Sequence, residues 1–92
     1  MIVILTGASR GLGLAILRLL LQRNVKVTTL SRSTTPELLQ LAGPNLEIVL
    51  GDVGIPADNQ RAIDLTIQRW GGIHGLVLNA GTIEPGESWL IR

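Results

Sequence analysis

Apolar residues fall along this chain in two rhythms that take turns. Four short runs are apolar or β-branched almost without interruption: Ile2 to Thr6, Val25 to Leu30, Leu46 to Leu50 and Gly75 to Asn79. Such runs predict strands buried on both faces, because a strand with one wet face would alternate. Between them the apolar positions recur at helical spacing. Leu12, Ala15, Ile16, Leu19 and Leu20 predict a helix from Leu12 to Arg23, stopped by a left-handed Asn24. Thr34, Thr35, Pro36 and Glu37 form a helix-start signal, with the glutamate placed for a capping box, and Gly43-Pro44-Asn45 ends that helix early. A longer helix is predicted from Pro56 to Trp70. Its buried face carries Ile63, Ile67 and Trp70, its outer face Arg61, Asp64 and Gln68, and Gly71-Gly72 ends it. Thr82 to Arg92 has no periodicity.

Four buried strands alternating with three helices predict an α/β fold: a parallel sheet with helices on both faces. Right-handed crossovers leave few other topologies, and the expected strand order is 3-2-1-4. The predicted folded unit covers residues 1–81, with 82–92 as an irregular tail.

Composition narrows the function classes. The 92 residues suit one small domain. With 46% hydrophobic residues and a mean hydropathy of +0.39, the chain is too apolar for a disordered segment. Phe and Tyr are both absent, so the core falls to Leu, Ile, Val and Ala. A net charge of +1 with scattered basic residues argues against a nucleic-acid partner. No apolar stretch reaches the roughly 20 residues of a membrane span. Without Cys, disulfides and thiolate metal sites are closed, and no other metal-ligand cluster is visible. The expectation is a soluble cytoplasmic protein with no metal.

The chemistry concentrates in Thr6-Gly7-Ala8-Ser9-Arg10-Gly11-Leu12-Gly13. Strand, glycine turn and helix N-terminus in that order predict a site for a dinucleotide pyrophosphate. Gly7 permits the tight turn, Gly11 admits the ligand to the backbone, and Gly13 allows close packing of helix on sheet.

Four features together resemble the short-chain dehydrogenase/reductase family over residues 1–81. They are the Thr6 to Gly13 turn, Ser31-Arg32 after the second strand, Gly51-Asp52-Val53 after the third, and Leu78-Asn79-Ala80-Gly81 after the fourth. Each sits at the C-terminal end of a predicted strand, the edge where open α/β sheets bind ligands. The resemblance implies a Rossmann-like fold cut after its fourth strand, and a nicotinamide dinucleotide held by Gly7, Ser9, Arg10, Gly11, Leu12, Gly13, Ser31, Arg32, Asp52, Val53, Asn79, Ala80 and Gly81. Family members specific for NAD place an acid near the end of the second strand; this chain has Leu30-Ser31-Arg32-Ser33. Arg32 there, with Arg10 in the glycine turn, favours the 2′-phosphate of NADP over NAD.

Three departures from the family pattern stand out. Leu78 replaces an Asn, Gly54 replaces a Thr or Ser, and His74 replaces an Asp just before the fourth strand. The last two are expected to loosen local hydrogen bonding, with His74 otherwise structural or exposed. The resemblance also implies a catalytic Tyr, a Lys four residues later and a Ser that polarises a small carbonyl substrate. This chain has no Tyr, and its single Lys is Lys26, at the far end of the second strand. The expected catalytic set is therefore none within this chain. Three readings follow: the cofactor-binding half of a reductase, a short non-catalytic NADP(H)-binding or partner-binding protein, or an unstable truncated product. An open fourth-strand edge predicts self-association.

Overall fold

The computed structural model describes residues 1–79, so the expectations placed on Ala80, Gly81 and residues 82–92 lie outside the described residues. The elements are β1 (Ile2–Thr6), α1 (Gly11–Gln22), β2 (Lys26–Ser31), α2 (Pro36–Leu39), β3 (Leu46–Leu50), α3 (Pro56–Trp70) and β4 (Gly75–Val77). The strands form one sheet in the order β3-β2-β1-β4, and every pairing is parallel. This is the Rossmann-like arrangement expected from the alternation of strands and helices.

Helices cover both faces. Val3, Leu5, Val27 and Leu46 join Leu17 of α1 and Leu38 of α2 in one cluster, while Leu30 and Val49 pack with Ala62 of α3 in the other. Asn24 at φ 61° and Gly71 at φ 88° supply the left-handed stops after α1 and α3. Among the described residues no helix is long and apolar enough to cross a membrane.

Three details of the sequence reading are corrected. The buried stripe of α1 is Gly13, Leu14 and Leu17, flanked by Ile16, Leu20 and Leu21, while Leu12, Ala15 and Leu19 are exposed. Leucines surround this helix, so the choice of face falls to Gly13, whose missing side chain admits the closest contact. The buried positions of α3 are Ala62 and Thr66, with Ile67 exposed. Thr66 suits that seam because its hydroxyl lies 2.6 Å from that of Thr28 and 2.7 Å from the Ala62 carbonyl. Finally, α2 carries no capping box. Thr35 is the N-cap, so Glu37 falls at the second helical position instead of the third.

β2 runs one residue later than predicted, and β4 ends at Val77 instead of Asn79. The shortening has a cause. β1 ends at Thr6, and the Asn79 N–H donates to the Thr6 hydroxyl at 3.0 Å instead of to a backbone carbonyl of β1.

His74 does not loosen the start of β4. Its backbone N–H donates to the Ile2 carbonyl at 2.7 Å, and its Nδ1 accepts the Ile2 N–H at 2.9 Å. The imidazole thus takes the acceptor role that a carboxylate could fill, pinning the first residues of β1 and β4 together. His74→Ala is expected to cost about 1 kcal/mol, the low end for a stranded, partly buried N–H. That lowers Tm by about 4–8 °C, and His74→Asp should recover most of it. A His74→Ala melt superimposable on the wild type would refute this role.

Candidate functional site

Parallel pairing brings the C-terminal ends of all four strands to one edge of the sheet. There a groove of about 640 Å³ opens between the β1–α1 turn and the ends of β2 and β3. Its volume lies within the roughly 300–1,000 Å³ of small-molecule and cofactor sites. The groove is lined by Gly7, Ser9, Arg10, Gly11 and Leu12 of the turn, Ser31, Arg32 and Ser33 after β2, Asp52 and Val53 after β3, and Asn79 beyond β4. Every candidate residue within the described region reaches it except Gly13, which lies beneath.

The three glycines of the turn have separate geometric roles. A Cβ on Gly7, at φ +68°, would stand 1.9 Å from the Asn79 carbonyl oxygen. A Cβ on Gly13 would stand 1.9 Å from the Gly7 carbonyl oxygen and 2.6 Å from the Asn79 amide nitrogen. These two glycines serve packing: β1, α1 and the end of β4 meet with no room for a methyl group. Asn79 closes the contact by donating its side-chain amide to the Gly7 carbonyl at 3.1 Å. Gly11, at φ +60°, is different. A Cβ there would meet nothing within 4 Å, so that stretch of backbone faces the groove uncovered.

The electrostatics of the groove favour an anion. No side chain caps α1, no acid occupies its first turn, and first-turn N–H groups have no carbonyl within the helix to bond. Arg10 and Arg32 are both exposed on the groove wall, and among the described residues neither pairs with a carboxylate.

The floor after β3 is held by residues that the sequence reading did not single out. Asp58 accepts the Asp52 N–H at 2.8 Å and pairs with Arg61 at 3.0 Å, while Arg61 also donates to the Leu50 carbonyl. The Asp52 N–H, with Arg61 adding to it, holds the Asp58 carboxyl below the ordinary carboxylate value. Asp52 itself accepts the Gly54 N–H at 2.8 Å, forming the turn that carries Val53. The Gly54 contact is a backbone one, which any residue but Pro would offer at this position. The i,i+3 spacing of Asp58 and Arg61 was a legible signal for their pairing; their reach back to the β3 loop was not.

A family model described as short chain dehydrogenase matches residues 1–89. The chain belongs to the short-chain dehydrogenase family. It is 39% identical over 87 residues to an uncharacterized oxidoreductase of Schizosaccharomyces pombe, covering 91% of this chain and 34% of that protein. It is 35% identical over 88 residues to the 3-phenylpropionate-dihydrodiol/cinnamic acid-dihydrodiol dehydrogenase of Escherichia coli, covering 94% and 33% respectively. The crystal structure of the KRED1-Pglu enzyme superposes with a TM-score of 0.79 at 38% identity, over 91% of this chain and 37% of that one. The chain thus spans about a third of the length of the relatives it matches.

Proposed function

We propose that this chain is the NADP(H)-binding N-terminal portion of a short-chain oxidoreductase whose full-length form acts on a small carbonyl or alcohol. The observation that carries the reading is the meeting of an uncapped α1 N-terminus with two arginines, unpaired among the described residues, in one groove that has no acid at the end of β2. The first-turn N–H groups of α1 take the pyrophosphate, with Gly11 leaving room for it. Arg10 and Arg32 take the 2′-phosphate, aided by the Ser33 hydroxyl, which is exposed on the groove. Asp52 and Val53 border the adenine, and Leu12, Asn79, Ala80 and Gly81 the nicotinamide side.

When bound, the dinucleotide supplies hydride transfer. This chain's residues bind and orient it, while the family's Tyr, Lys and Ser have no counterparts here, since the sequence has no Tyr and only Lys26. Calorimetric titration of the 92-residue chain with NADPH and with NADH tests the reading. Binding of both, NADPH the tighter, is the expected result. If neither binds, the dinucleotide reading falls; if NADH binds tighter, the NADP assignment falls.

The absence of Tyr from these 92 residues also fits a second reading, a non-catalytic dinucleotide-binding protein. An intact mass of the native polypeptide far above 9.9 kDa supports the reductase portion, and a mass at that value supports the second reading.

Among the described residues β4 pairs only with β1, and Leu76 and Leu78 beside its open edge are 59% and 64% exposed. We extend the proposal to self-association of the isolated chain through this edge. Sedimentation should give a weight-average mass that rises with concentration, and a constant monomer mass would count against it.

A further inference from the structure

The two arginines stand on different loops, and the structure ties those loops together at both ends. At one end the Gly7 N–H donates to the Leu30 carbonyl at 3.1 Å. At the other the Thr35 hydroxyl donates to the Ser9 carbonyl at 2.5 Å, 26 residues away in sequence. Arg32 lies between Leu30 and Thr35, and Arg10 follows Ser9 directly. The same Thr35 oxygen accepts the Leu38 N–H at 3.2 Å and so caps α2. Within the loop the Ser31 hydroxyl donates to the Ser33 carbonyl at 2.9 Å.

We infer that Thr35 is a positioning residue for 2′-phosphate recognition: it clamps the loop bearing Arg32 to the turn bearing Arg10, so that both guanidinium groups face one anion. The inference rests on the NADP(H) reading above. Thr35 does not line the groove, so it acts through the two arginines. Without the clamp, the far end of the Ser31–Thr34 loop is held only through α2, whose Leu38 sits in the core, and holding Arg32 beside Arg10 takes on an ordering cost met at binding. The pyrophosphate contacts at the α1 N-terminus do not depend on that loop. A lost clamp therefore weakens NADPH more than NADH.

The test compares NADPH and NADH dissociation constants for the wild-type chain and Thr35→Val, which keeps the shape of the side chain without its hydroxyl. The ratio of the two constants is the readout. A smaller folded fraction raises both constants by the same factor and cancels in the ratio. Loss of one hydrogen-bond equivalent predicts a fall in NADPH preference of about five- to tenfold. Thr35→Ser, which keeps the hydroxyl, should restore the preference. In an Arg32→Ala background Thr35→Val should leave the ratio unchanged, because the residue it positions is gone. Should Thr35→Val yield no folded fraction, Thr35→Gly carries the same comparison, since Gly is tolerated at an N-cap and has no side-chain donor for the Ser9 carbonyl. An unchanged ratio in the folded variant overturns the inference while leaving the NADP(H) reading intact. A wild-type chain that binds neither dinucleotide, or prefers NADH, overturns both before any variant is made.

Discussion

Gly13→Ala is expected to unfold or severely destabilise this chain, by about 3 kcal/mol or more. The added Cβ would stand 1.9 Å from the Gly7 carbonyl oxygen, 2.8 Å from its carbon and 2.6 Å from the Asn79 amide nitrogen. Two of these are backbone atoms held by the turn, so no side-chain rotation relieves the clash. α1 has to move off the sheet, and overpacking of a fixed interior costs about 1–3 kcal/mol even where neighbours can yield. At about 4–8 °C per kcal/mol for a domain of this size, Tm falls by roughly 12–24 °C. Gly11→Ala provides the contrast. Its Cβ meets nothing within 4 Å, so its folding cost is that of a left-handed φ of +60° alone, about 1–2 kcal/mol. That variant should keep more of its fold and lose more of its dinucleotide affinity, since the methyl group occupies the groove. Thermal melts and NADPH titrations on both variants separate the glycine that builds the turn from the one proposed to serve a ligand. A Gly13→Ala chain melting within a few degrees of the wild type would show that α1 does not rest on the turn as described.

The second large effect concerns cofactor choice. Arg10→Ala combined with Arg32→Ala should weaken NADPH binding about 100-fold, leaving NADH within about threefold. A hydrogen bond to a charged group is worth about 1.5–3 kcal/mol. Both arginines are exposed, so solvent screening places each near the low end, about tenfold apiece. The same screening predicts that the proposed wild-type preference for NADPH shrinks as salt is raised, whereas the preference of the double variant does not. Arg32→Asp goes further, because a carboxylate repels the 2′-phosphate and accepts hydrogen bonds from the free ribose hydroxyls. That single change should invert the preference. Calorimetry with both dinucleotides at low and high salt decides it: undiminished NADPH affinity in the double variant would remove the arginines from the site.

Much of the architecture was legible before any coordinates. The strand runs, Asn24, Gly71 and the glycine turn encode backbone geometry locally, because burial on two faces and a left-handed φ each restrict which residues can stand there. Right-handed crossovers then leave few topologies, the observed parallel order β3-β2-β1-β4 among them. The composition of the groove was equally legible, since strand ends in such a sheet converge on one edge.

Other features belong to tertiary structure. The buried face of α1 was misread because Leu12, Leu14, Leu17, Leu19, Leu20 and Leu21 point in every direction around the helix, and only the fit of Gly13 against Gly7 selects among them. In α3 a polar Thr66 outranked Ile67 for the core because Thr28 of β2 offered its hydroxyl where helix meets sheet. The links that arrange the site join residues far apart in the chain: Thr35 to Ser9 over 26 positions, and Asn79 to Gly7 over 72. The sequence alone determined which elements form and which residues reach the groove, because both follow from short-range periodicity and handedness. How those residues are held against one another was decided by packing and by hydrogen bonds between distant segments, whose partners no local pattern specifies.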